Sequence, residues 1–221
     1  MQIRKDILQD ASFDLKFLLN RGYRKKNALN FVSNKYLLSK RERNYLARSI
    51  YSDLVIKSRM DKIVDITVIE NQFLLVDGYN VLITVESICK KDYDSLILCD
   101  DGIIRDLNAI FGKYKFSEYT KRALDNILSI ISAYNPIIKF FYDKQVSFSG
   151  KLANMTEELI NSYKIEGDTV LSSNVDFDIV KMDNIKNCIV ATSDSAVIDK
   201  VSSILDLPFY MLQKRGLKSR L

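Results

Sequence analysis

Four short apolar runs in this chain each end on aspartate, and no other feature restricts the fold as much. FLLV runs into Asp77, LILC into Asp100 and Asp101, IKFFY into Asp143, and CIVATS into Asp194. Each run has the length of a strand, and charged, helix-patterned segments lie between most of them. The pattern predicts strands at 72–78, 95–102, 137–143, 168–174 and 187–194, with a last edge strand at 207–213. Between them it predicts a helix or loop at 80–90, a charged helical stretch and then a clearer helix at 117–134, a helix at 149–163 capped by Ser149, and a helix at 195–205. Strands alternating with helices predict an α/β fold with a mostly parallel, Rossmann-like sheet covered on both faces. In such a sheet all carboxyl ends point to one edge, and ligands bind where the strand order reverses. Aspartates from distant sequence positions would therefore meet on one rim.

The segment before these strands is of another kind. Residues 1–64 contain 15 Lys+Arg and 6 Asp+Glu, against 18 and 22 in residues 65–221. A basic all-helical domain over 1–64 is thus expected ahead of an acidic α/β domain over 65–221. Three or four short helices account for the head. Phe13, Phe17 and Leu18 recur at helical spacing, as do Ala28, Phe31 and Val32. Ser39 with Glu42 three residues later predicts a capping box. Arg21, Arg24, Lys25, Lys26, Arg41 and Arg43, interleaved with Tyr23, Tyr36 and Tyr45, suit phosphate contacts and base stacking. The plain alternative is a solvated basic face with the tyrosines in a small core.

Composition closes several chemical routes. The chain has no histidine, which removes Ser-His-Asp and Cys-His catalysis and histidine-held metals. Cys89, Cys99 and Cys188 have no CxxC spacing, so buried free thiols in a reducing cytoplasm are expected rather than a zinc knuckle or disulfide framework. No apolar run reaches the roughly 20 residues of a membrane span, and the N-terminus has no apolar signal core, so the expected location is cytoplasmic with no membrane partner. Carboxylates, hydroxyls, lysine and arginine remain. Oxygen-only ligands suit hard ions such as magnesium or manganese.

The sharpest element is Asp77-Gly78-Tyr79-Asn80 straight after an apolar strand. Gly78 permits a tight turn and close backbone approach, and Asn80 can offer an amide to water or phosphate. Thr192, Ser193 and Ser195 bracket Asp194 and make a hydroxyl-rich, phosphate-friendly strand end; helix capping by Ser193 or Ser195 can hold at the same time. Asp199, one turn on, could face the same rim. Ser147 and Ser149 form a second candidate phosphate site, although SFSGK lacks the upstream glycine of a P-loop and simple capping competes with it. Asp100 and Asp101 cannot both face one way, so at least one is structural. Arg105 could meet phosphate or pair with a neighbour. Any single strand-end aspartate is explained as a cap; four together are not.

VDGYNVL followed far downstream by ATSDSAVID resembles the NYN branch of the PIN-like nucleases. That likeness spans about residues 72–200 and implies a metal site opened by Asp77 and Asn80, closed by Thr192 and Asp194, with Asp143 as the intermediate acid. Such sites often add an acid on the helix after the first strand; Glu86 is the only acid in VLITVESICK. Over nearly its full length the chain also resembles an uncharacterised, mostly archaeal family of two-part proteins, filed as domain of unknown function 434 with a C-terminal partner domain. RGYRKKNALNFV, KRERNYLAR, CDDGIIRD, FGKY and VSFSG carry that likeness, which brings no activity with it.

The expected function is a magnesium- or manganese-dependent nuclease acting on RNA rather than DNA. Asp77, Asp143 and Asp194 would be catalytic metal ligands, with Asp101 as a fourth. Asn80, Thr192, Ser193, Ser195, Ser147, Ser149 and Arg105 would position water or phosphate, and the basic head would hold nucleic acid. A non-catalytic nucleic-acid-binding or regulatory protein and a small-molecule phosphohydrolase stand as alternatives. Homodimerisation stays open.

Overall fold

The computed structural model describes residues 4–107 and 114–217. The head comprises α1 (Lys5–Asn20), α2 (Lys25–Lys35), α3 (Lys40–Ser49) and α4 (Asp53–Met60). Leu8, Ala11, Leu15 and Leu19 of α1 bury one stripe against Ala28, Val32 and Leu46. A helix of this size buries only one stripe. Phe13, Phe17 and Phe31, which share the helical spacing, therefore face outward instead, 74%, 51% and 64% exposed. The capping box at Ser39 and Glu42 is present. Glu42 tolerates complete burial because Arg4 grips both its oxygens, at 2.8 and 2.7 Å.

The body opens on β1 (Phe73–Asp77), which passes directly into α5 (Gly78–Lys90). A hairpin of β2 (Leu96–Leu98) and β3 (Ile104–Asp106) follows. Then come α6 (Glu118–Ile131), β4 (Ile137–Asp143), α7 (Ser149–Ser162), β5 (Glu166–Ser172) and α8 (Val175–Lys186). The described chain finishes with β6 (Ile189–Ala191), α9 (Ser195–Ile198), β7 (Ser203–Ile204) and α10 (Leu207–Lys214).

Five strands form one parallel sheet in the order β5-β4-β1-β6-β7. Successive residues of β1 point to opposite faces, as a pleated strand requires. Leu74 and Val76 enter the core under α5, α6, α7 and α10, while Leu75 enters the core under α8 and α9. The α/β architecture with helices on both faces is thus as expected. From β1 the chain steps outward to β4 and β5, then returns to the other side of β1 for β6 and β7. The order reverses between β1 and β6, so the crevice lies between Asp77 and the residues just after Ala191.

Four expected elements differ. The segment 95–102 does not join the sheet. It supplies β2, paired antiparallel with β3, because Gly102 in a left-handed conformation (φ 77°) turns the chain back on itself. The charged helical stretch expected after it is in part β3, and residues 108–113 lie outside the described residues. The segment 207–213 is helix α10, not an edge strand. Asp206 accepts the Phe209 N–H at 2.9 Å, and Pro208 sits in the first turn, where no donor is needed. The helix expected over 195–205 stops at Ile198, and β7 takes up Ser203 and Ile204 as the edge strand.

Gly78 explains how β1 can lead into a helix without a loop. A Cβ there would lie 2.2 Å from the Tyr142 ring and 2.7 Å from the Phe141 carbonyl oxygen. Only hydrogen lets α5 lie this close to β4. Among the described residues no helix is long and apolar enough to cross a membrane. The three cysteines are free and buried.

Candidate functional site

The crevice gathers five of the residues singled out in the sequence. Asp77 stands at the N-cap position of α5 but makes no side-chain capping bond. Instead its Oδ2 accepts the Thr192 hydroxyl at 2.8 Å. Thr192 Oγ1 also accepts the Asp194 N–H at 3.0 Å. The Ser193 hydroxyl donates to Asn80 Oδ1. The Thr-Ser-Asp segment after β6 is therefore stitched to the β1–α5 junction by Thr192 and Ser193, with Asp194 tied back to Thr192. The cap of α9 is Asp194, which accepts the Ala196 N–H at 2.6 Å, and not Ser193 or Ser195 as expected, because the carboxylate oxygen reaches the free N–H groups of the first turn.

Electrostatics marks Asp77 as the unusual member. It is 7% exposed, and burial pushes its pKa up to about 7. The Thr192 hydrogen bond works against that rise, while the negative charges of Asp194 and Asp176 add to it. Asp176 is itself raised, first by burial and then by Asp194. No lysine or arginine forms an ion pair with any of these three aspartates among the described residues.

Asp176 was not anticipated. It lies in the first turn of α8, after the strand at 166–172 and the capping Asn174. An acid in the first helical turn behind a parallel strand was the available signal, hidden because the strand itself ends on serine. Asp143 is less central than expected. Phe141, not Asp143, stands opposite Asp77 in the register, and the Asp143 side chain turns back to accept the Gln145 N–H at 2.8 Å. Ser149 does not cap α7; Phe148 occupies that position, and the Ser149 hydroxyl bonds to the Lys144 carbonyl at 3.4 Å. Ser147 is exposed on the same turn. Glu86 stays away from the rim, buried against the Tyr114 and Thr120 hydroxyls with Lys90 at 3.1 Å.

Asp101 and Arg105 serve another purpose. Because β2 left the sheet, Asp101 is not on the rim but fully buried at the junction with the head. Arg105 grips it with two bonds, at 2.7 and 2.8 Å, and Arg59 of α4 adds a third at 2.7 Å. Both oxygens are taken, which corrects the expectation of a metal ligand. Arg59 also holds Asp199 through bonds of 2.7 and 3.0 Å, so Asp199 does not serve the rim. Arg105 Nε donates to the Ser193 carbonyl at 2.9 Å. Ser195 lies 2.9 Å from the Tyr51 hydroxyl and accepts from Arg59 at 3.3 Å. Arg59 and Lys25 lie over the Tyr51 ring, 4.2 and 3.4 Å from its centroid. Arg21, Arg24, Lys26, Arg41 and Arg43 of the head are exposed, but Lys25 is half-buried in this junction.

Among the described residues no three carboxylate or thiol groups enclose an ion-sized space. Magnesium, however, commonly keeps several waters and takes only one or two carboxylates plus substrate oxygens. Asp77 and Asp194, with hydroxyl and amide oxygens around them, fit that kind of ion and do not fit one caged by protein.

Comparison with known proteins places the chain among relatives of its own layout. The family model described as Domain of unknown function (DUF5616) matches residues 50–210, and the one described as Protein of unknown function (DUF434) matches residues 7–62. The protein described as Uncharacterized protein MJ0935, from Methanocaldococcus jannaschii, is 38% identical over 202 residues, covering 90% of this chain and 94% of that one. No solved structure matches.

Proposed function

The chain belongs to the family described as Domain of unknown function (DUF5616), and we propose that the crevice between β1 and β6 is the centre of a metal-dependent enzyme that hydrolyses phosphodiester bonds in RNA. One observation carries the reading. Asp77 is buried at the point where strand order reverses, with its pKa raised to about 7 and two further carboxylates acting on it. A fold keeps such uncompensated repulsion where a cation offsets it. The resemblance of VDGYN and ATSDSAVID to PIN/NYN-like nucleases, read from the sequence, points to the same chemistry.

Asp77 and Asp194 would hold the ion, and the Asp176 charge acts on both. Magnesium or manganese would supply charge neutralisation at the scissile phosphate and orientation of water. The remaining roles fall to the chain. Thr192 fixes the Asp77 carboxylate through its 2.8 Å bond. Ser193 occupies Asn80 Oδ1, which leaves the amide nitrogen to donate to a phosphate oxygen. Arg105, through the Ser193 carbonyl, holds this segment in place. The exposed cations of the head, Arg21, Arg24, Lys26, Arg41 and Arg43, would draw in the polyanion.

Cleavage of single-stranded and structured RNA with added manganese tests the reading. Asp77→Asn and Asp194→Asn should each lower the rate by about 100-fold or more, as loss of a charged group at a reacting phosphate does. Equal manganese affinity and no cleavage by wild type and variants alike would reject it. The absence of a three-carboxylate cage among the described residues favours a second reading, a non-catalytic nucleic-acid-binding protein. That reading gains if RNA binding is salt-dependent and indifferent to metal.

A further inference from the structure

The loop that leaves β4 contains an outlier that packing does not explain. Phe148 has φ 66°, in the left-handed region, and is the only aromatic residue there among the described residues. A bulky side chain enters that region against steric resistance, and such strain persists where the surroundings or a function require it. Burial gives no compensation here, since Phe148 is 70% exposed. Glycine or asparagine at this N-cap position would adopt the same backbone more easily.

A second exposed ring stands at the start of the helix that follows the neighbouring strand. Phe177 follows Asp176 in the first turn of α8 and is 59% exposed. The loops carrying the two rings leave neighbouring strands, β4 and β5, and are bonded to each other: the Lys144 N–H donates to the Ser172 carbonyl at 2.8 Å, and Gln145 Nε2 to the Ser173 carbonyl at 3.5 Å. Both rings therefore sit on the edge of the sheet that carries Asp77, Asp176 and Asp194.

Resting on the phosphodiester reading above, we propose that Phe148 and Phe177 are stacking platforms for unpaired bases, which makes the substrate single-stranded nucleic acid. A duplex hides its base faces within its own stack and offers only edges, whereas a single strand can lay successive bases on exposed rings. Each ring is flanked in its loop by polar residues, and Leu171 of β5 is the other exposed apolar side chain on that segment. Lys144, Gln145, Ser147, Ser173 and Asn174 around them are exposed and polar. A protein partner would ask for a contiguous apolar centre; isolated rings among hydrogen-bonding groups beside an acidic phosphate site suit a nucleic-acid strand.

The test separates strain from function. Phe148→Gly removes the ring and the backbone strain together, so its thermal midpoint should equal or exceed that of the wild type. Affinity is read with a single-stranded RNA carrying 2-aminopurine, in chelator so that no cleavage occurs. Phe148→Gly should bind about 5–10-fold more weakly, and Phe148→Gly/Phe177→Ala on the order of 100-fold, with loss of the fluorescence quenching that marks stacking. Phe148→Trp should restore both. Binding of a blunt RNA duplex should change by less than about twofold, since paired bases do not stack on the rings. Unaltered single-strand affinity in the double variant overturns the proposal, as does an equal loss for duplex, or a wild type that does not bind single strands. Because metal is withheld, failure of cleavage alone rejects the catalytic reading and not this one.

Discussion

The acidic rim and the head–body junction each bury an aspartate near the end of an apolar run, and they treat its charge in opposite ways. At the junction, Asp101 is surrounded by the guanidinium groups of Arg59 and Arg105; burial acts to raise its pKa, but those bonds and charges outweigh it and hold the pKa below the ordinary value. At the rim, Asp77 has the Thr192 hydroxyl and the Asn80 backbone as its partners, no positive charge among the described residues, and two like charges nearby, and its pKa is pushed up to about 7. The same side chain is thus neutralised by protein in one place and left for something else to neutralise in the other. A buried ion pair that is complete says little about function. A buried acid that is incomplete says more.

The contrast is broken most severely at Asp101. Asp101→Asn would leave Arg59 and Arg105 buried without their shared counter-charge, at a cost of about 3–5 kcal/mol in urea unfolding. A cost below about 1 kcal/mol would mean that the junction relaxes and that its ion pairs do not hold the head in place.

The rim should respond with the other sign. Asp77 holds its proton up to about pH 7 when folded, against an ordinary value of 3.8. Between those values the folded state binds more protons, so stability falls as pH rises through that window and the loss is complete above it. Asp77→Asn should match wild type at pH 4 and exceed it by on the order of 2 kcal/mol at pH 8. Asp206, raised to about 6 by burial, leaves a residual slope of the same sign in the variant. Magnesium should close the gap at pH 8 by stabilising wild type alone. A variant weakened equally at both pH values would make Asp77 an ordinary hydrogen-bonded core residue.

The smallest effect belongs to Lys25. Its pKa is lowered to about 7, by burial first and by Arg59 and Arg105 next. Between about 7 and the ordinary 10.5 the unfolded chain holds the proton that the folded state has released, so stability rises with pH through that window. Lys25→Met should therefore stabilise the protein near pH 7, by less than about 1 kcal/mol because the group still reaches solvent. Thermal unfolding at pH 7 and pH 10 reads the difference, which should vanish at the higher pH.

The sequence made the sheet legible because its strands are short apolar runs with sharp ends, and it made the Thr192–Asp194 stitch legible because hydroxyls and acid share one strand end. It misled where a local pattern had two physical solutions. LILCDDG is as good a hairpin arm as a parallel strand, and the choice was settled by Gly102, not by hydrophobicity. LPFYMLQ is apolar enough for a strand, yet the Asp206 cap and Pro208 start a helix. Phe13 and Phe17 keep helical spacing on the wrong side of α1. The Arg59–Asp101–Arg105 cluster joins residues more than 40 positions apart at its extremes, and no spacing rule reports on such pairings. Asp176 escaped notice because attention to strand-final acids overlooks an acid that arrives one turn later.

Arg59 lies on α4, on the head side of the boundary drawn from charge at 64/65, while Asp101 and Arg105 lie on the body side. A fragment trimmed at that boundary would keep Asp77, Thr192 and Asp194 but lose Arg59, the Tyr51 partner of Ser195, and the Arg48 and Lys62 bonds to the Asp106 and Ile198 carbonyls. Shortening the chain toward the body would therefore compromise the scaffold while leaving the rim aspartates in place. What composition presents as two modules is joined by Arg59, Tyr51 and Arg48 across the boundary, a single inheritance that has to be kept or lost together.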